Sequence, residues 1–368
     1  MGLRGIVPKL AGQYGLIHER NGEVLQTEQI KNTITDDGYQ AGLSVLFFGG
    51  AQTQDWYLGI SHTGSPGDIT NINSEFTGYS EPTRPKWHSS VVSIGDHRSH
   101  EWNATEFTCR VDATTFAVFT CTETAFLHTP FLTTAASKTA SGTVWSIGDT
   151  SGGLNALETA RVQDGSTNTL RRGNIVVWPG DVIRLNYAVM DFGENFAATF
   201  LAGTKLFLDC LFKGTPPPST FYVGLMNGEA APSIDYFLTD TMAAHPTWTE
   251  FTSYQGPRPA FSPRSLSSLY FDESDNPAFL ESESFNYRIT ANGTVGGYFI
   301  VADDNTKGGT GGTLYSAFPA DYQRAFLSDL VVNPLYSVAP ISFDPFFPIR
   351  LFKGEFFRLR LHRGADED

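Results

Sequence analysis

Leu46-Phe47-Phe48-Gly49 runs on to Trp56-Tyr57-Leu58-Gly59-Ile60, and 165 residues later Leu211-Phe212-Lys213-Gly214 runs on to Phe221-Tyr222-Val223-Gly224-Leu225 with the same internal spacing. Working outward, Glu75-Phe76-Thr77-Gly78-Tyr79 returns as Glu250-Phe251-Thr252-Ser253-Tyr254, and Arg84-Pro85-Lys86-Trp87 returns as Arg258-Pro259-Ala260-Phe261. Gly142-Thr143-Val144-Trp145-Ser146 returns as Gly312-Thr313-Leu314-Tyr315-Ser316, and Gly180-Asp181-Val182-Ile183-Arg184-Leu185 as Gly354-Glu355-Phe356-Phe357-Arg358-Leu359. The offsets stay between 165 and 175 and the order of the blocks is kept. An ordered series of this kind marks a tandem duplication of one structural unit. What recurs is aromatic and glycine-rich framework, with no repeated catalytic set.

Each copy opens on a helix signal. Thr35 is an N-cap candidate, Asp36 and Asp37 suit the positive end of a helix dipole, and Tyr39, Leu43, Leu46 and Phe47 have helical spacing up to Gly49-Gly50. In the second copy Phe196, Phe200, Leu206, Leu208 and Leu211 do the same, stopped by Gly214 and Pro216-Pro217-Pro218. The rest reads as strand. Ile183, Leu185, Tyr187 and Val189 alternate with polar or small residues, as do Phe285, Tyr287 and Ile289, and Phe357, Leu359 and Leu361. Period two with one polar face predicts half-buried antiparallel strands. The expected fold is mainly β: two tandem antiparallel β-sandwich modules, jelly-roll-like or otherwise Greek-key, each opening with a short helix, plus an extended N-terminal arm. The expected divisions are residues 1–34 for the arm and a hairpin turning at Asn21-Gly22, 35–192 for module 1 and 193–368 for module 2. No Ser/Gly linker separates the modules near Asp191-Phe192-Gly193, so they are expected to pack with a fixed geometry. Residues 1 to about 12 carry little apolar periodicity and are expected to make few contacts with their own module.

Composition narrows the function classes. With 368 residues, each half can bury a core without disulfide or metal support. A net charge of −14 leaves no broad basic field to release counterions from DNA or RNA, so no nucleic-acid partner is expected. No apolar run approaches the roughly 18 residues of a membrane span, and the start lacks the apolar core of a signal peptide. Cys109, Cys121 and Cys210 make no disulfide framework. Cys109 and Cys121 could pair across a hairpin, but buried reduced thiols are the simpler reading.

Candidate chemistry is sparse. His97, His100 and Glu101 have the wrong spacing for a helical zinc motif. Asp272, Glu273 and Asp275, and Asp303-Asp304-Asn305 with Gly308-Gly309, lack the alternation and closing glutamate of a calcium loop and read as turns. The Gly308–Gly312 run is no phosphate loop, since no Gly-Lys-Ser/Thr follows. No cofactor, metal site or catalytic set is expected. The repeated acids Glu75 and Glu250 are the only carboxylates worth nominating for glycoside chemistry. The repeated Arg84 and Arg258 each precede a proline, which pushes them into extended backbone. Their guanidinium groups are expected to pair with Glu75 and Glu250 as structural latches, or to lie on aromatic faces.

The repeated blocks also resemble a family of small virion proteins of tailed bacteriophages. The resemblance runs through Asn21-Gly22-Glu23-Val24, Lys31-Asn32-Thr33-Ile34-Thr35, Trp56-Tyr57-Leu58-Gly59-Ile60, and the Glu-Phe-Thr-x-Tyr and Arg-Pro blocks. It is fuller in the second copy, through Asp240-Thr241-Met242-Ala243-Ala244-His245-Pro246-Thr247-Trp248-Thr249-Glu250 and Lys307-Gly308-Gly309-Thr310-Gly311-Gly312-Thr313-Leu314; the first copy has Asn73-Ser74-Glu75 where the family has a tryptophan. The resemblance implies a non-enzymatic capsid decoration (cement) protein on the outer surface of the virion, assembled in the host cytoplasm. Its implied partners are the major capsid protein and neighbouring copies of itself, with a homo-oligomer left open, and no nucleic acid or membrane. Two other readings stay open: a tail-associated or receptor- or glycan-binding virion protein, and a carbohydrate-active enzyme or lectin-like binder using Glu75 and Glu250.

Overall fold

The computed structural model describes residues 10–53, 55–61, 75–98, 105–148, 175–191, 198–228, 237, 239–261, 263, 285–319, 331–332, 349–351, 353 and 356–359. The Asn-Gly pair makes its turn. Strands β1 (Leu10–Arg20) and β2 (Glu23–Ile34) join through Asn21 at φ 53° and Gly22 at φ 81°, the two positive values that match a hairpin turn to the strands' twist. The first half continues with α1 (Asp36–Phe48), β3 (Tyr57–Ser61), β4 (Ser93–Arg98), β5 (Thr105–Val111), β6 (Ala117–Thr120), β7 (Ala125–Leu127), β8 (Thr129–Thr133), β9 (Val144–Gly148), β10 (Ile175–Val177) and β11 (Val182–Asp191). The second half runs β12 (Ala198–Thr199), α2 (Leu201–Phe212), β13 (Phe221–Asn227), β14 (Phe285–Arg288), β15 (Gly293–Ala302), β16 (Thr313–Pro319), β17 (Val331–Val332), β18 (Ile349–Leu351) and β19 (Phe356–Leu359). The protein is mainly β, with several antiparallel sheets and two helices among the described residues.

The helix ends follow their local chemistry. Thr35 Oγ1 accepts the Gly38 N–H at 3.0 Å, and Gly49 closes α1 at φ 63° while the Gly50 N–H returns to Ser44 O at 2.9 Å. α2 starts later than its apolar spacing predicts. Phe200 is the extended N-cap residue, without a side-chain cap bond, and Phe196 lies outside the described residues.

The largest sheet has nine strands in the order β3-β8-β9-β2-β1-β11-β5-β4, with β6 also on β11. Residues 23–31 of β2 lie along β1, and Asn32–Ile34 pair with β9, so this one strand joins the two runs of the sheet. The hairpin is therefore central in this sheet. The reason is apolar burial: Tyr14, Leu16 and Ile30 are core residues with at most 2% exposure. Residues 10–12 pair with 189–191 of β11, and the Leu10 N–H donates to Tyr39 Oη at 3.2 Å, so these three are not free of the sheet. Residues 1–9 of the expected arm lie outside the described residues.

The strand wiring repeats in register. Gly59 faces Phe131 and Phe131 faces Ile147 across β3-β8-β9, as Gly224 faces Phe299 and Phe299 faces Ala317 across β13-β15-β16. Both sets carry a bulge at the same step, Leu132/Thr133 and Ile300/Val301, opposite Trp145 and Tyr315. Glycine is needed at 59 and 224, because a Cβ would come within 2.2 Å of the Phe131 ring or 2.1 Å of the Phe299 ring. Phe119 pairs with Ile183 across β6 and β11, as Tyr287 pairs with Phe357 across β14 and β19. β17 takes on β19 the slot that β1 takes on β11: Val331 faces Arg358 where Ile17 faces Arg184. One core cluster runs through both halves, taking in Leu43, Leu46, Trp56 and Trp145 with Phe207, Leu211, Phe212, Phe221 and Tyr315.

Candidate functional site

The Arg-Pro segments are held as extended backbone beside β3 and β13. The Leu58 N–H donates to Pro85 O at 2.9 Å and the Trp87 N–H to Trp56 O at 2.7 Å. In the second half the Val223 N–H donates to Pro259 O at 3.0 Å and the Phe261 N–H to Phe221 O at 2.6 Å. Glu75 and Glu250 bridge the far ends of the same strands, opposite Ser61 and Met226. A sequence separation of only eight or nine residues thus brings each arginine back onto its own glutamate.

Both arginines are about 1% exposed, so every N–H left without an acceptor would be costly. Arg84 Nε donates to Glu75 Oε1 at 2.8 Å and Nη2 to Oε2 at 2.8 Å, a bidentate fork. Its Nη1 donates to Ala135 O at 2.6 Å, and Nη2 also to Ala140 O at 3.1 Å. Arg258 repeats this on Glu250 at 2.9 and 2.7 Å, with Asp304 O at 3.0 Å and Gly309 O at 3.1 Å in place of the two alanine carbonyls. Its Nη1 also reaches the Asp304 carboxylate at 3.4 Å. Each guanidinium lies over a phenylalanine as well: Arg84 over Phe131 at 5.5 Å and Arg258 over Phe299 at 5.3 Å. Ion pairing and aromatic stacking occur together at each arginine.

A third component closes each clamp. The β8–β9 and β15–β16 loops place Thr139 at φ 59° and Gly308 at φ 66°, and their N–H groups donate to Glu75 Oε2 at 2.7 Å and Glu250 Oε2 at 2.6 Å. One residue earlier, Lys138 donates to the Thr77 and Tyr79 carbonyls and stands 3.6 Å from the centre of the Tyr79 ring. Lys307 does the same to Thr252 and Tyr254, 4.5 Å from the centre of the Tyr254 ring. Reading the sequence missed this lysine pair. Its signal was one identity within Ser137-Lys138-Thr139 and Thr306-Lys307-Gly308, too short to stand out beside the aromatic blocks.

The electrostatics are those of a closed structural ion pair. Burial pulls the Arg258 guanidinium down, but the hydrogen bonds and charge of Glu250 outweigh it and hold it above its ordinary value. Burial, then the nearby Glu250 charge, pushes the Tyr254 phenol up, and burial with Glu75 does the same to Tyr79. Both oxygens of Glu75 and of Glu250 accept charge-assisted bonds. A carboxylate so occupied is suited to holding a loop against a sheet.

The other candidates fall elsewhere. His97 lies in strand β4 opposite Glu106, not in the expected loop, while His100, Glu101, Asp272, Glu273 and Asp275 lie outside the described residues. Asp303 accepts the Ser219 N–H at 2.8 Å, and Asp304 accepts the Thr306 N–H at 2.9 Å beside Arg258, so this acidic run is spent on a turn and on the clamp. Among the described residues no group of three or more His, Cys, Asp and Glu side chains is placed to hold a metal. Cys109, Cys121 and Cys210 are buried, and no disulfide joins them. No helix among the described residues is long and apolar enough to cross a membrane. Compared with protein-family models, curated proteins and solved structures, the chain matches none.

Proposed function

We propose that this chain is a non-enzymatic structural protein of a tailed-phage virion, a capsid decoration protein built from two tandem β-sandwich modules of jelly-roll type. The observation that carries the structural part of this reading is the saturation of Glu75 and Glu250. The two acids best placed for chemistry are both locked, by a buried arginine, a backbone N–H and a loop, into the same clamp. Such a duplicated frame favours rigid presentation of a surface. The capsid assignment rests on the resemblance of the repeated blocks, and the −14 charge suits the outside of a shell, away from packaged DNA. The partners in this reading are the major capsid protein and neighbouring copies of the chain.

A cement acts by mass action, adding interface energy only to the assembled shell. Two modules on one chain make the second contact intramolecular and raise its effective concentration. Particles stripped of the protein are expected to release DNA at a lower temperature than complete ones, with recovery when it is added back. Equal release temperatures combined with lost adsorption to host cells would replace the capsid reading with the tail-associated one. Hydrolysis of a glycan by the purified chain, abolished by Glu75→Gln or Glu250→Gln, would overturn the structural reading altogether.

A further inference from the structure

α1 and α2 each carry, in their last turn, a phenylalanine that the other half receives. The Phe47 ring lies 4.6, 5.7 and 5.7 Å from the rings of Phe221, Phe261 and Tyr315. The Phe212 ring lies 5.4, 5.1 and 5.1 Å from those of Trp56, Trp87 and Trp145. These are corresponding positions. Phe47 and Phe212 are 165 residues apart, and Trp56/Phe221, Trp87/Phe261 and Trp145/Tyr315 are the aromatic positions of the repeated blocks. When each of two surfaces inserts the same residue into the same receptor on the other, the contact is isologous, the geometry of a twofold axis.

On a twofold axis a residue meets its own counterpart. Gly42 and Phe207 are also 165 residues apart, and they meet: a Cβ built on Gly42 would lie 2.3 Å from Cζ of Phe207. Phe207 is 1% exposed. Two glycines at this place would leave a hole the size of a phenyl ring, and two phenylalanines would contend for one space. The polar contacts beside the axis likewise lack a symmetry mate. Lys213 Nζ donates to Ser89 O at 2.7 Å and Trp56 Nε1 to Leu211 O at 3.4 Å. Their counterparts, Phe48 and Phe221, have no side-chain donor.

We propose that the α1–α2 face is a pseudo-twofold pairing surface whose partner is the unlike half, and that Gly42 and Phe207 form the axis pair that sets this specificity. Discrimination is a difference of affinities, and a hole on one side and a clash on the other act against like-with-like pairing. The inference is independent of where the chain sits in a virion, since it concerns only how one half recognises the other.

The test exchanges the axis pair in the full chain. Gly42→Phe reproduces the axis of two second halves, and Phe207→Gly that of two first halves. Each single substitution is expected to lower Tm by about 5–10 °C, the first by overpacking and the second by a cavity. The double exchange returns Tm to within about 3 °C of the parent, because a twofold pocket accepts the ring from either side and the number of helical glycines is unchanged. A gentler exchange, Gly42→Leu with Phe207→Ala, reads the same recovery if Gly42→Phe alone does not fold. A single variant as stable as the parent, or double variants that melt at or below the lower of their singles, would overturn the proposal.

Discussion

In the second half, Trp248 roofs the face of β13, β15 and β16 that carries Phe299, at 5.2 Å between ring centres, with Phe200, Met226, Met242, Val301 and Leu314 in the same cluster. The Trp248 indole donates to Asp240 Oδ2 at 3.1 Å, and His245 stacks on it at 3.9 Å. In the first half the matching face holds, among the described residues, a cluster of three, Phe131, Val144 and Ile147, and the sequence has Asn73 where the second half has Trp248. The opposite imbalance holds beside β9 and β16. Tyr14 Oη, brought by the central hairpin, bonds Ser146 Oγ at 2.6 Å, whereas the counterpart Ser316 Oγ is buried with no partner among the described residues. The clamps, the bulges and the helix-end phenylalanines are common to both halves. The two halves thus agree in the clamps and bulges, whose parts lie within one half, and in the phenylalanines that each sends into the same aromatic receptor of the other. The clamp is alike in both halves because its parts all lie within one half.

The largest expected effect tests the likeness. Glu75→Ala leaves a fully buried guanidinium without its counter-charge and is expected to cost about 3–5 kcal/mol in urea unfolding. Glu250→Ala falls at the low end of that range, because Arg258 retains the Asp304 carboxylate at 3.4 Å. A cost below about 1 kcal/mol for Glu75→Ala would show that Arg84 is satisfied without its glutamate, and the two clamps would no longer be one device.

A smaller effect tests the difference. Asp240→Asn removes the charge from the acceptor of the Trp248 indole and of the Phe237 N–H, at 3.1 and 3.2 Å. The expected loss is about 1.5–3 kcal/mol, accompanied by a change in tryptophan emission, since the indole loses its charged neighbour. An unchanged stability would mean that packing against Phe299 and Met242 alone holds the roof.

The smallest effect at neutral pH comes from the buried thiols and grows with alkalinity. Burial, reinforced by Asp181 and Glu81, pushes Cys121 up to about 12, and burial with Asp209 pushes Cys210 up to about 12. In the unfolded chain both ionise near the ordinary thiol value of about 8.5. The folded state therefore holds more protons between these limits. This contribution is fully present below about pH 8.5 and is lost as pH rises towards about 12. Stability measured by urea unfolding from pH 7 to 11 should fall only above the lower limit. Cys121→Ile, which installs the residue that the second half carries at position 289, should remove the first half's share of that fall. A wild-type profile that stays flat to pH 11 would show the thiols to be irrelevant.

What the amino-acid sequence determined by itself is what short-range chemistry can decide. Asn21-Gly22 sets a turn because only residues tolerant of positive φ fit it. Thr35 and Gly49 bound a helix because the orphan N–H and carbonyl groups need partners there, and Ile183, Leu185, Tyr187 and Val189 alternate because a strand has two faces. The repeat was legible because the aromatic blocks kept their order, and Glu75 with Arg84 because charge and an extended Arg-Pro leave few alternatives. Tertiary structure alone decided the rest. That the hairpin lies in the middle of a sheet depends on β9 and β11, more than a hundred residues further along. That Lys138 and the Thr139 N–H close the clamp depends on how a loop folds back. That Phe47 and Phe212 exchange places depends on how one half sits on the other. Each of these is a choice of partner, and a side chain's own chemistry specifies the kind of partner it needs but not which of many similar ones it will meet.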